Sequence, residues 1–387
     1  MKILYFMNHA DKGGAMLALY DLLVELKKYK DIEPIVITGK KNKFNKMLDE
    51  IEIENYSAPF KNFISSYKSP KLLFKIILWI RYIICKPIAC YSIEKKINFN
   101  KIDIIHTNLD RIDIGAYFAK KYNIPHIWHI REHLDDDFVT LSIFNNYIKH
   151  MEKYQSLYIA ISSSVKEKWK NRGLPENKIK LVYDGININK LITNPINFDT
   201  QKIKMVFLGG YTKNKGQEYF INILGRLPEK VKKDIKIDFY GNGSKKYLKF
   251  LNNKIKQFNL SEVVNLYDYN PKIYCKLKNY NIGINCSKAE GFGRITVEYM
   301  LAGLCPIVSN TGANPELVTN KQSGIVYNYE DEDDLLNKII YIYNNRNIIS
   351  DLQRKARDKA IEQFSIGQHT KTVVELYRKI LSKEEEF

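Results

Sequence analysis

Short apolar runs, each closed by glycine, asparagine or a charged residue, alternate along this chain with longer stretches in which apolar residues recur every three or four positions. The run Lys2–Met7 passes through Gly13 and Gly14 into a stretch whose Leu19, Leu22, Leu23 and Leu26 mark one face, the pattern of a buried strand followed by an amphipathic helix. Further strands are predicted at 34–38, 103–107, 126–130 and 157–162, with helices between them, for example 112–122 and 140–155. From Asp184 to Asp199 the pattern loosens into Gly, Pro and Asn, which reads as an interdomain linker. A second series follows, with strands at 205–208, 235–240, 264–267, 282–286, 306–308 and 325–327 and helices near 217, up to 257 and at 295–302. This alternation predicts an α/β protein of two doubly wound domains, residues 1–190 and 191–365, followed by a helical segment 366–387. Ligands of such sheets bind beyond the carboxyl ends of the strands, so a cleft facing both domains is expected.

At 387 residues the chain is long enough for two hydrophobic cores, and 45% hydrophobic with 27% charged residues excludes a disordered tail or a fibre. Lys and Arg number 61 against 43 Asp and Glu, a formal charge of +18, which favours acidic partners such as phosphates, an anionic membrane surface or nucleic acid. Lys, Asn, Ile and Tyr are abundant throughout, a bias that base composition of the genome would also produce. Neither a Cys/His finger nor an aromatic RNA-binding signature is present, so no nucleic-acid partner is expected. The five scattered cysteines have no metal-like spacing and suit a reducing cytosol. The opening KILYFMN is too short for a signal-peptide core. The expected location is therefore cytoplasmic, the inner face of the cell membrane being the alternative.

Residues 70–91 are strongly apolar but interrupted by Lys75, Arg81 and Lys86, which argues against a spanning helix. Two readings remain open: a buried helix pair, slightly favoured, or an interfacial helix with Trp79 and Tyr82 at headgroup depth on an anionic membrane.

The densest chemistry lies between Ser287 and Glu316, SKAEGFGRITVEYMLAGLCPIVSNTGANPE. A strand ending at Cys286 runs into a loop with Glu290, Gly291, Phe292 and Gly293, and a helix follows that carries Glu298 about one turn in. Unpaired amides at that helix N-terminus and its dipole suit an anionic or hydroxyl-rich ligand, and Glu298 can hold a pair of hydroxyls.

This segment resembles the nucleotide-sugar signature of retaining family 4 glycosyltransferases (glycosyl transferases group 1), in which a Glu-x7-Glu pair brackets a Gly-Phe-Gly loop. The likeness extends through Ala302-Gly303-Leu304, the strand 306–308 and the Gly312…Glu316 turn. It implies the GT-B fold, two Rossmann-like doubly wound domains facing a cleft, with the last helix, around 372–381, crossing back to the N-terminal, acceptor-binding domain. It implies a metal-independent hexosyltransferase that needs no cofactor beyond its nucleoside diphosphate sugar, UDP- or GDP-linked, and acts on a glycan or lipid-linked acceptor in bacterial surface polysaccharide synthesis.

Carried over by motif, Glu298 would accept ribose hydroxyls, and Glu290 with the backbone of Gly291 to Gly293 would bind the donor sugar. Lys215, in VFLGGYTKNKG, would meet the diphosphate. Gly210 stands where the family has an arginine, a missing phosphate contact that Arg294 could supply. Gly13 and Gly14 match a Gly-Gly loop that lets backbone approach the diphosphate or acceptor. In IPHIWHIREHLDDDF, Arg131-Glu132 occupy the family's His-Asp position, flanked by His129 and His133; Arg131 or Glu132 is the first expectation for the acceptor side, His133 the next, and a wall that contacts no sugar the remaining alternative. His106 reads as a structural histidine, Asp135, Asp136 and Asp137 as a solvated run rather than a metal site, and Glu330–Asp334 as the first turn of a helix. A sugar-nucleotide epimerase on the same fold, or a binding protein with a degenerate donor site, are the rival readings.

Overall fold

The computed structural model describes residues 1–8, 13–66, 71–134, 140–188, 191 and 202–383. The chain divides into two compact units, residues 1–185 with 366–387 and residues 186–365.

The first unit contains strands β1 (Lys2–Met7), β2 (Glu33–Thr38), β3 (Glu54–Ser57), β4 (Ile64–Ser66), β5 (Ile104–Thr107), β6 (His126–Ile130), β7 (Thr140–Ser142), β8 (Leu157–Ala160) and β9 (Ile179–Leu181). Seven of them form a parallel sheet in the order β3-β2-β1-β5-β6-β8-β9, while β4 and β7 pair as a separate antiparallel ribbon. Strand order reverses between β1 and β5, so the crevice of this sheet opens beyond the ends of those strands. β1 is apolar on both faces and Ile3 to Phe6 are fully buried, as a central parallel strand requires. The helix Gly14–Leu26 contributes Leu19, Leu22, Leu23 and Leu26 to the core, together with Val373, Tyr377 and Ile380 of the helix Ile366–Leu381. That shared core is why the last helix belongs to this unit, although the whole second unit intervenes in sequence.

In the second unit β10 (Ile203–Leu208), β11 (Ile235–Gly241), β12 (Val264–Asp268), β13 (Ile282–Asn285), β14 (Cys305–Ser309) and β15 (Ile325–Tyr327) form a parallel sheet ordered β12-β11-β10-β13-β14-β15. Its order reverses between β10 and β13. Both units are Rossmann-like, as expected.

Two predicted elements are corrected. Residues 140–155 are not one helix: Thr140–Ser142 pairs with Ile64–Ser66, and the helix is only Tyr147–Glu152, where the Asn146 side chain accepts from the Lys149 amide 2.9 Å away. Residues 70–91 do not fold as a buried helix pair. Lys71–Glu94 is a single helix with Pro87 inside it, and Leu72, Ile80 and Ile88 are 73%, 43% and 54% exposed. No helix among the described residues is long and apolar enough to cross a membrane.

Candidate active site

The switch point of the second unit is built from glycines that only glycine can serve. β10 ends at Leu208, just before Gly209; the turn Lys213–Lys215 follows, and Gly216, at φ +79°, begins the helix Gln217–Gly225. A Cβ on Gly216 would lie 2.2 Å from the Cys286 carbonyl oxygen, so any side chain would push this turn away from β13. Next door Gly293, at φ +91°, begins the helix Arg294–Leu301. Neither helix start carries a side-chain cap, so two sets of helix N-terminal amides are presented beyond the adjacent strands β10 and β13. Helix N-terminal amides and two positive dipole ends make this a place for an anion.

The predicted charges converge here. Lys215 Nζ lies 2.6 Å from Glu290 Oε1, and the Ser287 hydroxyl donates to the same oxygen at 2.6 Å. The Glu290 loop is braced from behind: the Ala313 amide donates to the Glu290 carbonyl at 3.0 Å, and Gly312, at φ +55°, lies so close that a Cβ would be 2.6 Å from the Glu290 nitrogen. Ser309 and Thr311 hydroxyls donate to the Ser287 carbonyl at 3.0 and 2.8 Å. Asn285 donates to Thr296, which donates to Asn314, which donates to Ser309. These buried small polar residues at the ends of β13 and β14 hold the loop rigid.

Glu298 is 7% exposed and takes a hydrogen bond from the Tyr274 hydroxyl; burial, then the Glu298 charge, push that phenol far above its usual range. The positive charge of Arg294 also reaches Tyr274. The Phe292 side chain is buried, its ring edge-on to Phe364 at 5.8 Å between centroids, so it staples the loop and leaves only its backbone to face a ligand. Gly210 has the opposite character to Gly216: a Cβ there would meet only the Asn242 carbonyl oxygen, at 3.5 Å.

In the first unit Gly13, at φ +132°, begins the helix Gly14–Leu26, and a Cβ on it would meet nothing within 4 Å. The motif that ends β6 is largely closed. Arg131 is buried, its Nη1 2.6 and 2.8 Å from the two Asp184 oxygens, its Nε donating to Asn108 Oδ1 at 3.0 Å and its Nη2 to His129 Nδ1 at 3.3 Å. The guanidinium expected to face the acceptor is thus engaged by Asp184, Asn108 and His129. Because a guanidinium only donates, His129 Nδ1 must accept, which puts the His129 proton on Nε2. His106 Nε2 then donates to that same Nδ1 at 3.1 Å, and His106 Nδ1 accepts from Tyr377, whose hydroxyl lies 2.8 Å from that of Tyr5. Burial, then the Arg131 charge, hold both imidazoles well below their usual pKa and keep them neutral. His129 Nε2 has no hydrogen-bond partner among the described residues.

Glu132 pairs with Arg111, and His133 Nε2 lies 2.9 Å from the Ser164 hydroxyl. Asp135, Asp136 and Asp137 fall outside the described residues. Sequence reasoning missed Asp110, a fully buried carboxyl at the same end of the sheet, held beside the backbone amides of Asp110 and Arg131; burial raises its pKa. It also missed Tyr274, whose only signal was its place just before β13.

Residues 189–363 match the family model described as Glycosyl transferases group 1, and residues 12–190 match Glycosyltransferase Family 4. An uncharacterized 41.2 kDa protein in the cps region of Klebsiella pneumoniae is 25% identical over 74% of this chain and 81% of its own length. The GalNAc-alpha-(1->4)-GalNAc-alpha-(1->3)-diNAcBac-PP-undecaprenol alpha-1,4-N-acetyl-D-galactosaminyltransferase of Campylobacter jejuni is 20% identical over 95% of both chains. The crystal structure of Anabaena HepE in complex with UDP superposes with a TM-score of 0.79 over 98% of this chain and all of that one, at 20% identity, a likeness of fold.

Proposed function

The chain belongs to the GT-B glycosyltransferases, and from that premise we propose that it moves a hexose-type sugar from a UDP- or GDP-sugar to a hydroxyl of a lipid-carried glycan, in the making of a bacterial surface polysaccharide. The names of the Klebsiella and Campylobacter relatives support the pathway, and the UDP complex of the Anabaena structure supports the donor class. The observation that carries the reading is the meeting of Lys215 and Glu290 beside two uncapped helix N-termini at one switch point.

In this reading the bond from the anomeric carbon to the diphosphate breaks while the acceptor oxygen bonds to the same face of that carbon. The charge that collects on the diphosphate falls to Lys215, the two helix N-termini and Arg294, fixed before the reaction begins. Lys215 exchanges its present partner for phosphate, and Glu290 turns its freed oxygen to a donor-sugar hydroxyl. Glu298, steadied by Tyr274, takes the ribose hydroxyls. The acceptor's proton passes to the leaving phosphate, so the configuration is retained and neither a dedicated base nor a metal is required. The acceptor side is assigned to His129, Glu132 and His133 in the first unit, with Arg131 holding His129 in its tautomer.

A thermal-shift panel of UDP, GDP, ADP and their sugars, with and without EDTA, tests the donor site, since a ligand bound by the native state alone raises the melting point. A shift selective for one base, insensitive to EDTA and lost in Glu298→Gln, is the expected result. Silence across the panel would favour a non-catalytic protein, and conversion of the sugar nucleotide without acceptor would mark an epimerase.

A further inference from the structure

The helix Lys71–Glu94 is built inside out. Its polar groups point into the first unit: the Tyr82 hydroxyl donates to Asp113 Oδ2 at 2.5 Å, and Lys86 Nζ lies 2.8 Å from the same oxygen. The His150 ring adds a third contact at 2.9 Å. Asp113 is buried, and burial alone would raise its pKa; the His150 and Lys86 contacts overturn that and hold the carboxylate ionised. Lys75 donates to Asn145 at 2.9 Å. With its hydrogen-bonding residues turned inward, the helix turns its aliphatic residues outward.

Leu73, Ile77, Ile80, Ile84 and Ile88 form one ridge at helical spacing, between 43% and 56% exposed. A second ridge runs beside it through Leu72, Ile76, Trp79 and Ile83. Arg81 lies at the margin of this face and is exposed. At about 1.5 Å per residue the stretch from Leu72 to Ile88 presents an apolar strip roughly 25 Å long. Monomeric proteins rarely leave so continuous an apolar face to water.

We propose that this face lies flat on an anionic phospholipid bilayer, its aliphatic ridges in the acyl boundary and Trp79 at headgroup depth. Charge selects the occupant. The chain carries +18, the exposed Lys95 and Lys96 follow the helix directly, and Glu94, its one acidic residue, is engaged by Lys121 and Tyr122. A second copy pressed against the strip would bring like charge to like charge, whereas an anionic surface attracts the rim and dissolves the ridges. The helix is too interrupted by charge to span, so contact is in the plane of the interface. This inference stands on the first unit alone and does not depend on the donor chemistry.

The test is cosedimentation of the full chain with vesicles of phosphatidylcholine alone or with one third phosphatidylglycerol, for the wild type and for the double variant Ile80→Asp, Ile84→Asp. Ile361→Asp, on an exposed site of the other unit, serves as control. Both variants alter exposed side chains and should melt with the wild type. The wild type and the control are expected to bind the anionic vesicles and to lose affinity about tenfold or more in high salt, with the double variant at least tenfold weaker. Trp128 and Trp169 are fully buried, so Trp79 reports directly, and its emission should shift to the blue on anionic vesicles. Absence of wild-type binding at low salt would overturn the proposal. So would a dimer that the double variant splits, which would give the face to a second copy.

Discussion

Arg131 and Lys215 each stand just past the carboxyl end of a parallel strand, one in each unit, and their surroundings are opposite. The Arg131 side chain is 2% exposed and spends its donors on Asp184, Asn108 and His129; the Lys215 side chain is 32% exposed and pairs with the Glu290 carboxylate. The difference runs through both sheets. The strand ends of the first unit are filled by neutral histidines, tyrosines and an ion pair, all buried, and all seven histidines of the chain belong to that unit. Beyond β10 and β13 of the second unit two adjacent helices start uncapped at positive-φ glycines, as the helix after β1 does at Gly13, but no histidine fills the place. One architecture has been closed by internal partners and the other left able to exchange a partner for an anion. A cation of the first kind should matter to folding, and one of the second kind to chemistry.

Breaking that contrast at Arg131 should have the largest effect. Arg131→Met takes the guanidinium away from the buried Asp184 carboxylate, and removing one member of a buried pair costs about 3–5 kcal/mol. Thermal melting should show the loss in the first unit, and the double variant Arg131→Met, Asp184→Leu should recover part of it. If Arg131→Met instead melts like the wild type and loses turnover, the contrast fails. Lys215→Ala is the converse: melting should hold, while kcat falls about 10²–10³-fold with loss of a charge aimed at the leaving group. A loss of stability without loss of rate would make Lys215 a structural lysine.

Gly312→Ala separates position from charge. A Cβ there would lie 2.4 Å from the Glu290 carbonyl oxygen, so the loop must move and take Glu290 from Lys215. Gly303→Ala carries a similar backbone strain at φ +78° but would meet nothing within 4 Å. Both should cost roughly 1–3 kcal/mol of stability. Only the first should weaken donor binding, by about tenfold in a thermal-shift titration.

Much of this contrast was readable before any coordinates, and the unreadable part has a physical pattern. Gly216, Gly293, Glu290 and Glu298 stand out because a strand, a glycine turn and a helix start are local features with fixed spacing. The closure around Arg131 is not local: Asp184 is 53 residues away, and a charged residue after a strand looks the same whether solvent or a carboxylate meets it. The misread 140–155 segment failed for a related reason. Leu141, Ile148 and Met151 fit a helical spacing, but residues 140–142 are claimed by a partner strand more than 70 residues earlier. For Lys71–Glu94 the apolar pattern announced a helix and said nothing of which side the protein would cover.

Acid should divide the units. Burial lowers the pKa of His126 to about 3 and holds His106 and His129 well below their usual value. In the unfolded chain these imidazoles take protons near pH 6.5. As pH falls below about 6.5 the unfolded state binds protons that the native state refuses, so stability is lost, by up to about 1.4 kcal/mol per pH unit for each histidine. Above that pH these groups contribute no slope. Hydrogen exchange followed from pH 7 to 5, corrected for intrinsic rates, should show protection falling first in β1, β5 and β6, while β10 and β13, in a unit without histidine, keep theirs. A parallel loss in both units would mean that the buried imidazoles are not what sets the acid limit.

The smallest effect concerns Gly210, the glycine that stands where the family resemblance leads one to expect arginine. Gly210 has no left-handed backbone to protect, and its nearest obstacle to a Cβ is a carbonyl oxygen at 3.5 Å, an ordinary contact. Its own carbonyl already accepts from Gln217 at 2.9 Å, and a side chain does not disturb that bond. Gly210→Arg should therefore fold, with a change in stability within about 0.5 kcal/mol. A new guanidinium near the amides of the helix Gln217–Gly225 adds one charge-assisted contact to a bound diphosphate, exposed enough that roughly 1 kcal/mol, about fivefold in affinity, is a fair ceiling. The gain should be visible for nucleoside diphosphates and absent for the monophosphate, because the second phosphate is what the cation meets. If Gly210→Arg tightens donor binding while Arg294→Ala loses little, this chain manages the diphosphate with Lys215 and helix ends alone. If Arg294→Ala weakens binding and Gly210→Arg restores it, Arg294 supplies from the neighbouring loop the charge that Gly210 lacks.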